Sequence, residues 1–190
     1  MVKIISTLVT LGCIALGSAA SAYEMGGLSA ILRLGDLGVF EATDVGDFYV
    51  LENNERDNAV YYVQGKTPRE NHGFQSASVE FEFREETDST RAGLIFGFDE
   101  ADNSYFFFAI GPKGEIILSQ RTPSGFRTLF EGGTNDLIDG VNVLTLEETA
   151  EGVRLALNDD ASITSQRPGM AGGGIGIIAI GMGEVGFTNY

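Results

Sequence analysis

Polar and apolar positions alternate with a two-residue period over much of the chain. Residues 78–84 are the clearest case, with Val79, Phe81 and Phe83 on one side and Glu80, Glu82 and Arg84 on the other. That is the pattern of a strand with one dry and one wet face. Further on, residues 91–121 hold three short apolar runs, 92–98, 105–110 and 115–120, broken by D-E-A-D-N-S and G-P-K-G. Both breaks have turn composition, and each run is too short for a helix of about ten residues, so the stretch predicts an antiparallel meander.

Similar strand signals occur at 39–41, 48–52 and 59–64, and again at 126–131, 141–147, 153–158, 162–165, 175–180 and 185–189. Their spacing of about 8–12 residues is that of an all-β sandwich or barrel. After Gly38 no stretch sustains a helical period, which excludes a βαβ fold, since every parallel crossover needs a connecting helix. Residues 53–58, N-N-E-R-D-N, read as an exposed hairpin loop. In the segment before Gly38, Leu28, Ile31 and Leu32 have helical spacing, but Gly26, Gly27 and Gly35 limit it to about two turns. It reads as a leader docked on the domain.

The first 22 residues have a different character. Lys3 precedes an apolar run from Ile4 to Leu16, and Ala20-Ser21-Ala22 is a small-x-small cleavage signature. A secretory signal is the expectation, because the run is short of the roughly 18–20 residues that cross a bilayer. Leu11-Gly12-Cys13 is similar to the end of a bacterial lipoprotein signal, although Thr10 and Leu11 depart from that pattern, so soluble export is read over lipid anchoring at Cys13. The predicted organisation is a signal over 1–22, a leader over 23–37 and one sandwich domain over 38–190, in the periplasm or secreted. No cysteine follows Cys13, so the mature chain has no disulfide, thiolate nucleophile or thiolate metal site.

Charge narrows the partners. Without Lys3, 11 basic residues face 27 acidic ones, a net charge of −16, and only two of the 11 are lysines. Such a surface disfavours nucleic acid and anionic membranes, whose phosphates are bound by lysine and arginine, and it suits a medium of high ionic strength. No transmembrane segment is predicted in the mature chain.

The order V-E-F-E-F-R, A-G-L-I-F-G-F, D-N-S-Y-F-F-F-A-I, K-G-E-I-I-L-S, G-F-R-T-L-F, N-V-L-T-L, V-R-L-A-L-N-D-D, G-G-I-G-I and V-G-F-T-N resembles the concanavalin A-like lectin/glucanase superfamily. Its laminin G-like and keto-disaccharide-hydrolase-like bacterial jelly rolls look most similar. The resemblance covers about residues 38–190 and rests on strands and turns. It implies an all-β, two-sheet antiparallel jelly-roll sandwich with about six strands per sheet and a ligand on one concave face. Lectins, carbohydrate-binding modules, glycoside hydrolases and adhesive domains share that architecture, so fold does not fix function.

Several residues are candidates for chemistry. Retaining glycosidases of the superfamily carry E-x-D-x-E on a strand, and Glu80-x-Glu82 is similar to part of that motif. Carboxylates two apart on a strand share a face near the roughly 5 Å separation of a nucleophile and its acid/base partner. The alternation ends in Arg84 and begins at Ser78, so a solvated Glu/Glu/Arg stripe is the preferred reading. Tyr105 and Phe107 lie on one face of their run and Phe106, Phe108 and Ile110 on the other. With the second set in the core, Tyr105 and Phe107 are expected beside Arg91, Arg121, Arg84 and the two glutamates on a mixed aromatic and polar ligand face. The plainer reading is cross-strand aromatic pairing.

Asp99, Glu100, Asp102 and Asn103 gather hard oxygens in one turn, and Asn158, Asp159 and Asp160 do so in another. The resemblance adds calcium as a candidate there, with Asp99, Asp102 and Asn103 as ligands, although neither turn has the spaced D-x-D-x-D-G loop. His72, the sole histidine, sits in a polar loop. The G-I-G-I-I-A stretch at 174–179 superficially matches a dinucleotide fingerprint, but no helix follows it, so its glycines are read as allowing close strand approach. The expected function is non-catalytic binding of a glycan or a surface protein. A glycoside-processing enzyme and a structural subunit of a surface or periplasmic assembly are the alternatives.

Overall fold

A computed structural model describes residue 28, residue 32, and residues 34–55, 59–64, 75–165 and 172–190. The predicted signal, His72 and part of the 53–58 loop lie outside the described residues. Among the described residues, fourteen strands form two antiparallel sheets. The larger sheet holds β1 (Gly35–Asp36), β2 (Phe40–Val45), β3 (Phe48–Asn53), β5 (Ser76–Glu86), β10 (Asn142–Glu148), β11 (Val153–Leu157), β12 (Asp160–Ser165) and β14 (Gly183–Thr188). Its order is β1-β2-β3-β14-β5-β10-β11-β12. The smaller holds β4 (Ala59–Gln64), β6 (Arg91–Asp99), β7 (Ser104–Ile110), β8 (Glu115–Thr122), β9 (Gly125–Gly133) and β13 (Gly174–Ile180), in the order β4-β13-β6-β7-β8-β9. Among the described residues no helix is long and apolar enough to cross a membrane.

Every strand expected from the alternation is present, and β6, β7 and β8 are consecutive neighbours, as the meander requires. Two differences concern counting. The two-residue β1 was not expected, being too short to show a period, and the sheets hold eight and six strands instead of about six each.

The core lies between the sheets. It draws Val79 and Phe81 from β5, Leu144 and Leu146 from β10, and Val185 and Phe187 from β14. Facing them are Leu94 and Phe96 of β6, Phe106, Phe108 and Ile110 of β7, and Ile177 of β13. Burying one such side chain is worth about 1.5–3 kcal/mol, so this two-residue periodicity supplies most of the driving force. Leu28 joins the same core, and the Leu32 amide donates to the Leu28 carbonyl at 2.8 Å.

The chain changes sheets between β13 and β14, and that crossing is tightly fixed. Asn53, almost fully buried, donates its side-chain amide to the Gly181 carbonyl at 2.6 Å. The Met182 amide donates to Ser89 Oγ at 3.1 Å, and the Thr87 and Thr90 hydroxyls donate to the Met182 carbonyl. Gly181 has φ +79°, and a Cβ there would sit 2.0 Å from the Ser89 carbonyl oxygen, so no other residue fits the corner. Gly176 meets the other expectation for the 174–179 stretch. A Cβ on it would lie 1.7 Å from the Tyr62 carbonyl oxygen, where β13 runs against β4.

Candidate ligand-binding face

The smaller sheet is apolar on both sides. Opposite the core, Ile95 and Phe98 of β6, Tyr105, Phe107 and Ala109 of β7, and Ile178 of β13 form a second buried cluster. Tyr61 and Val63 of β4, Ile117 of β8 and Ile180 of β13 pack around it. This explains why 92–98 and 105–110 read as unbroken apolar runs, since a strand covered on both faces loses its alternation. Tyr105 is 4% exposed and Phe107 8%. These two were expected on an open face, and the structure instead sinks them among aromatic neighbours.

Rings connect this layer from one edge of the sheet to the other. Tyr61 lies 5.2 Å from Tyr105 and 6.1 Å from Phe98, and Tyr105 lies 6.5 Å from Phe107. Phe107 in turn meets the ring of Phe126, on the edge strand β9, edge-on at 6.3 Å. Phe126 is 63% exposed, and the Arg121 guanidinium sits over its ring at 4.8 Å, in cation–π range. The strand register produces this contact, because Arg121 pairs directly with both Tyr105 on β7 and Phe126 on β9. Polar groups border the same end: the Tyr61 hydroxyl donates to Asn103 Oδ1 at 3.2 Å. Burial pushes the Tyr105 phenol up to about 12, with Tyr61 raising it further and Arg121 opposing the shift.

The expected single surface of Glu80, Glu82, Arg84, Arg91, Tyr105 and Arg121 does not exist as one face. Only Tyr105, Phe107 and Arg121 come together. Arg91 starts β6 opposite Ile180, whereas Tyr105 is at the other end of the sheet, about 20 Å away at the ~3.3 Å rise of a strand. There its Nη1 donates to the carbonyls of Asp88 (2.8 Å) and Thr90 (2.7 Å), a clasp on its own turn. Arg84, Glu80 and Glu82 are on β5 in the other sheet, facing away from the core. Arg84 Nε contacts Glu82 Oε1 at 2.5 Å, its Nη1 is 3.8 Å from Glu184 Oε1, and its guanidinium covers the Phe48 ring at 5.1 Å. The error has a simple cause: alternation gives the face of a strand but not the sheet to which it belongs.

The acidic turn between β6 and β7 is held by its own backbone. Asp99 Oδ1 accepts from the Ala101 amide and Asp102 Oδ1 from the Ser104 amide, both at 3.0 Å, and Asn103 adopts φ 51°. At the second turn, Asn158 donates to the Asp136 carbonyl at 2.6 Å and accepts from the Val143 amide at 2.8 Å, so its side chain ties two loops together. Among the described residues, no three His, Cys, Asp or Glu side chains gather as a metal site would require.

Sequence reasoning missed Phe126, Tyr61 and Phe98. Each lay in a strand read correctly, but β4 had to be ordered into the same sheet before Tyr61 could join the layer, and Phe98, of the same parity as the core residues Leu94 and Phe96, turns outward only through the register irregularity after Phe96.

No family model matches this chain, and no curated protein does. Among solved structures, a Bacillus subtilis protein of unknown function with a galectin-like fold aligns at a TM-score of 0.57 and 11% identity, covering 82% of this chain and 86% of that one. The carbohydrate-binding module CBM66 from Bacillus subtilis aligns at 0.55 and 10% identity, over 79% and 89%. A glycoside hydrolase family 16 endo-glucanase from Bacteroides ovatus aligns at 0.51 and 6% identity, over 80% and 84%. At these identities the likeness is one of fold. That fold is the concanavalin A-like jelly roll, an architecture used by both a carbohydrate-binding module and an endo-glucanase.

Proposed function

We propose that this chain is an exported, non-catalytic binding domain that takes a saccharide at the Tyr105–Arg121–Phe126 end of the smaller sheet. The observation that carries the reading is Phe126. An exposed ring fixed by Phe107 on one side and Arg121 on another is a preordered platform, and a sugar loses little binding energy to ordering it. Arg121 supplies a polar group beside it. The fold-level likeness to a carbohydrate-binding module supports the same reading by analogy. Export rests on the signal-like first 22 residues.

Catalysis is the weaker reading because Glu82, one of the two carboxylates with suitable spacing, is already paired with Arg84. The test is a glycan array followed by titration calorimetry, with Phe126→Ala as the paired variant. Specific binding that falls with Phe126→Ala supports the proposal. A blank array together with a protein that co-purifies in fixed ratio would replace it with the surface-assembly reading.

A further inference from the structure

We infer that the edge strand β9 pairs, antiparallel and about a two-fold axis, with β9 of a second copy of this chain, joining the two smaller sheets into one continuous sheet. The inference goes beyond the saccharide site and does not depend on it.

A strand at the edge of a sheet presents unpaired N–H and C=O groups, and proteins guard such edges with short strands, like charges or cover. The other three edges of the two sheets carry such devices. In the larger sheet, β1 is two residues long, and Asp36, Glu41 and Asp44 on β1 and β2 would meet their own copies. The opposite edge, β12, opens on Asp160 beside Asp159. In the smaller sheet, Val60, Tyr61, Tyr62 and Val63 of β4 are half-buried against the two apolar layers. The strand β9 differs from all of these. Seven of its nine residues are exposed, Phe126 and Phe130 among them at 63% and 42%, and G-F-R-T-L-F-E-G-G contains neither lysine nor proline. A long, open and partly apolar edge is a template for another strand.

Charge selects the partner. The chain carries a net −15, so two copies repel over most of their surface, but the β8–β9 hairpin from Glu115 to Gly133 holds two arginines and two glutamates, 2 − 2 = 0. That hairpin is a neutral strip. Its charges are also ordered, with Arg121 and Arg127 toward the hairpin tip and Glu115 and Glu131 toward the other end. An antiparallel copy sets the arginine end of each strand against the glutamate end of the other, within a Debye length of about 10 Å near 0.1 M salt. A parallel copy would set like against like. Arg127 pairs with Gln120 and Glu131 with Ile117, on opposite faces of β9, so the complementarity is between strand ends and is not one direct ion pair. The register irregularity of β9, opposite Leu118 and Ser119, falls mid-strand. Arms of similar length, 125–128 and 130–133, flank it, so an antiparallel copy matches arm to arm and brings the two irregularities together near the axis. An axis normal to the sheet keeps both Phe126 rings on its outer face, which makes the pair bivalent for the site proposed above.

Sedimentation velocity on the purified chain, with no sugar present, is the test. A dimer is expected at about 100 μM and a monomer near about 1 μM, the affinity of an interface built on little more than one strand. Phe130→Lys places a lysine on the edge and should raise the dissociation constant at least about tenfold. Arg127→Glu and Glu131→Arg each set like charges against one another and should weaken pairing about fivefold, while the double swap should restore it. Hydrogen exchange in β9, and not in β4 or β12, should slow as the chain is concentrated. A chain that stays monomeric at about 100 μM, a dimer indifferent to all three single changes, or protection at another edge overturns the inference. So does growth beyond a dimer, because two-fold pairing closes on itself. The charge variants keep the test decisive should Phe130→Lys fail to fold, which circular dichroism reports.

Discussion

The outer faces of the two sheets are built from opposite materials. On the larger sheet, register places Asp36, Glu41, Glu52 and Glu184 side by side across β1, β2, β3 and β14, with Glu82 and Arg84 beside them. Like charges directly opposite one another weaken a sheet, and this row persists because water and Arg84 screen it. On the smaller sheet, the same positions carry Ile95, Phe107 and Ile178, all buried. The larger sheet is stabilised from one side and solubilised from the other. The smaller one is stabilised from both, and it meets solvent mainly along its edge strand, where Phe126 and Phe130 are exposed. On this sheet the open apolar surface therefore concentrates at that edge.

The largest effects should come from treating the second apolar layer as if it were surface. Ile95→Asp should abolish cooperative unfolding, and Ile95→Ala should cost about 2–5 kcal/mol in urea denaturation, as a core truncation does. A cost below about 0.5 kcal/mol would make the two outer faces equivalent. Gly176→Ala should follow at about 2 kcal/mol or more, because the new methyl strikes the Tyr62 carbonyl and pries β4 from β13; thermal unfolding reads this directly.

Alkaline pH provides a milder probe. The folded Tyr105 phenol titrates at about 12, against about 10 in an unfolded chain, so between those values the folded state holds a proton that the unfolded state has lost. Stability from this group is whole below about pH 10 and lost as pH rises through about 12. Tyr49 and Tyr190 are shifted in the same direction by burial. Tyr105→Phe should remove only its own share, flattening but not erasing the decline, and an unchanged slope would mean the outer layer is wet.

Phe126→Ala should leave stability within about 0.5 kcal/mol while lowering saccharide affinity about tenfold, which separates the platform from the layer beneath it. Smallest of all, Glu80→Gln on the charged face should change stability by less than about 0.5 kcal/mol. Calcium or EDTA should leave the melting temperature unchanged if the Asp99 and Asp102 carboxylates act as turn acceptors; a rise with calcium would make that turn a metal site.

Much of the fold was legible because a strand with one buried face writes its period into the chain, as in Val79, Glu80, Phe81, Glu82. The core half of β7 could also be read, since Phe106, Phe108 and Ile110 share a parity. The proposed ligand face was read only in part. Tyr105 and Arg121 do share a side, but Arg84 and the two glutamates have the same outward parity on a different sheet, and Arg91 has it at the wrong end of its strand.

The sequence alone thus determined the strands, the core-facing parity of strands such as β5 and β7, and the glycines where backbones nearly touch, all of which depend on local sterics and two-residue periodicity. Only the tertiary structure decided which strands are neighbours. That ordering comes from long-range pairing, such as β14 between β3 and β5 or β13 between β4 and β6. It was this ordering that set Tyr61 beside Tyr105, a contact no spacing along the chain encodes.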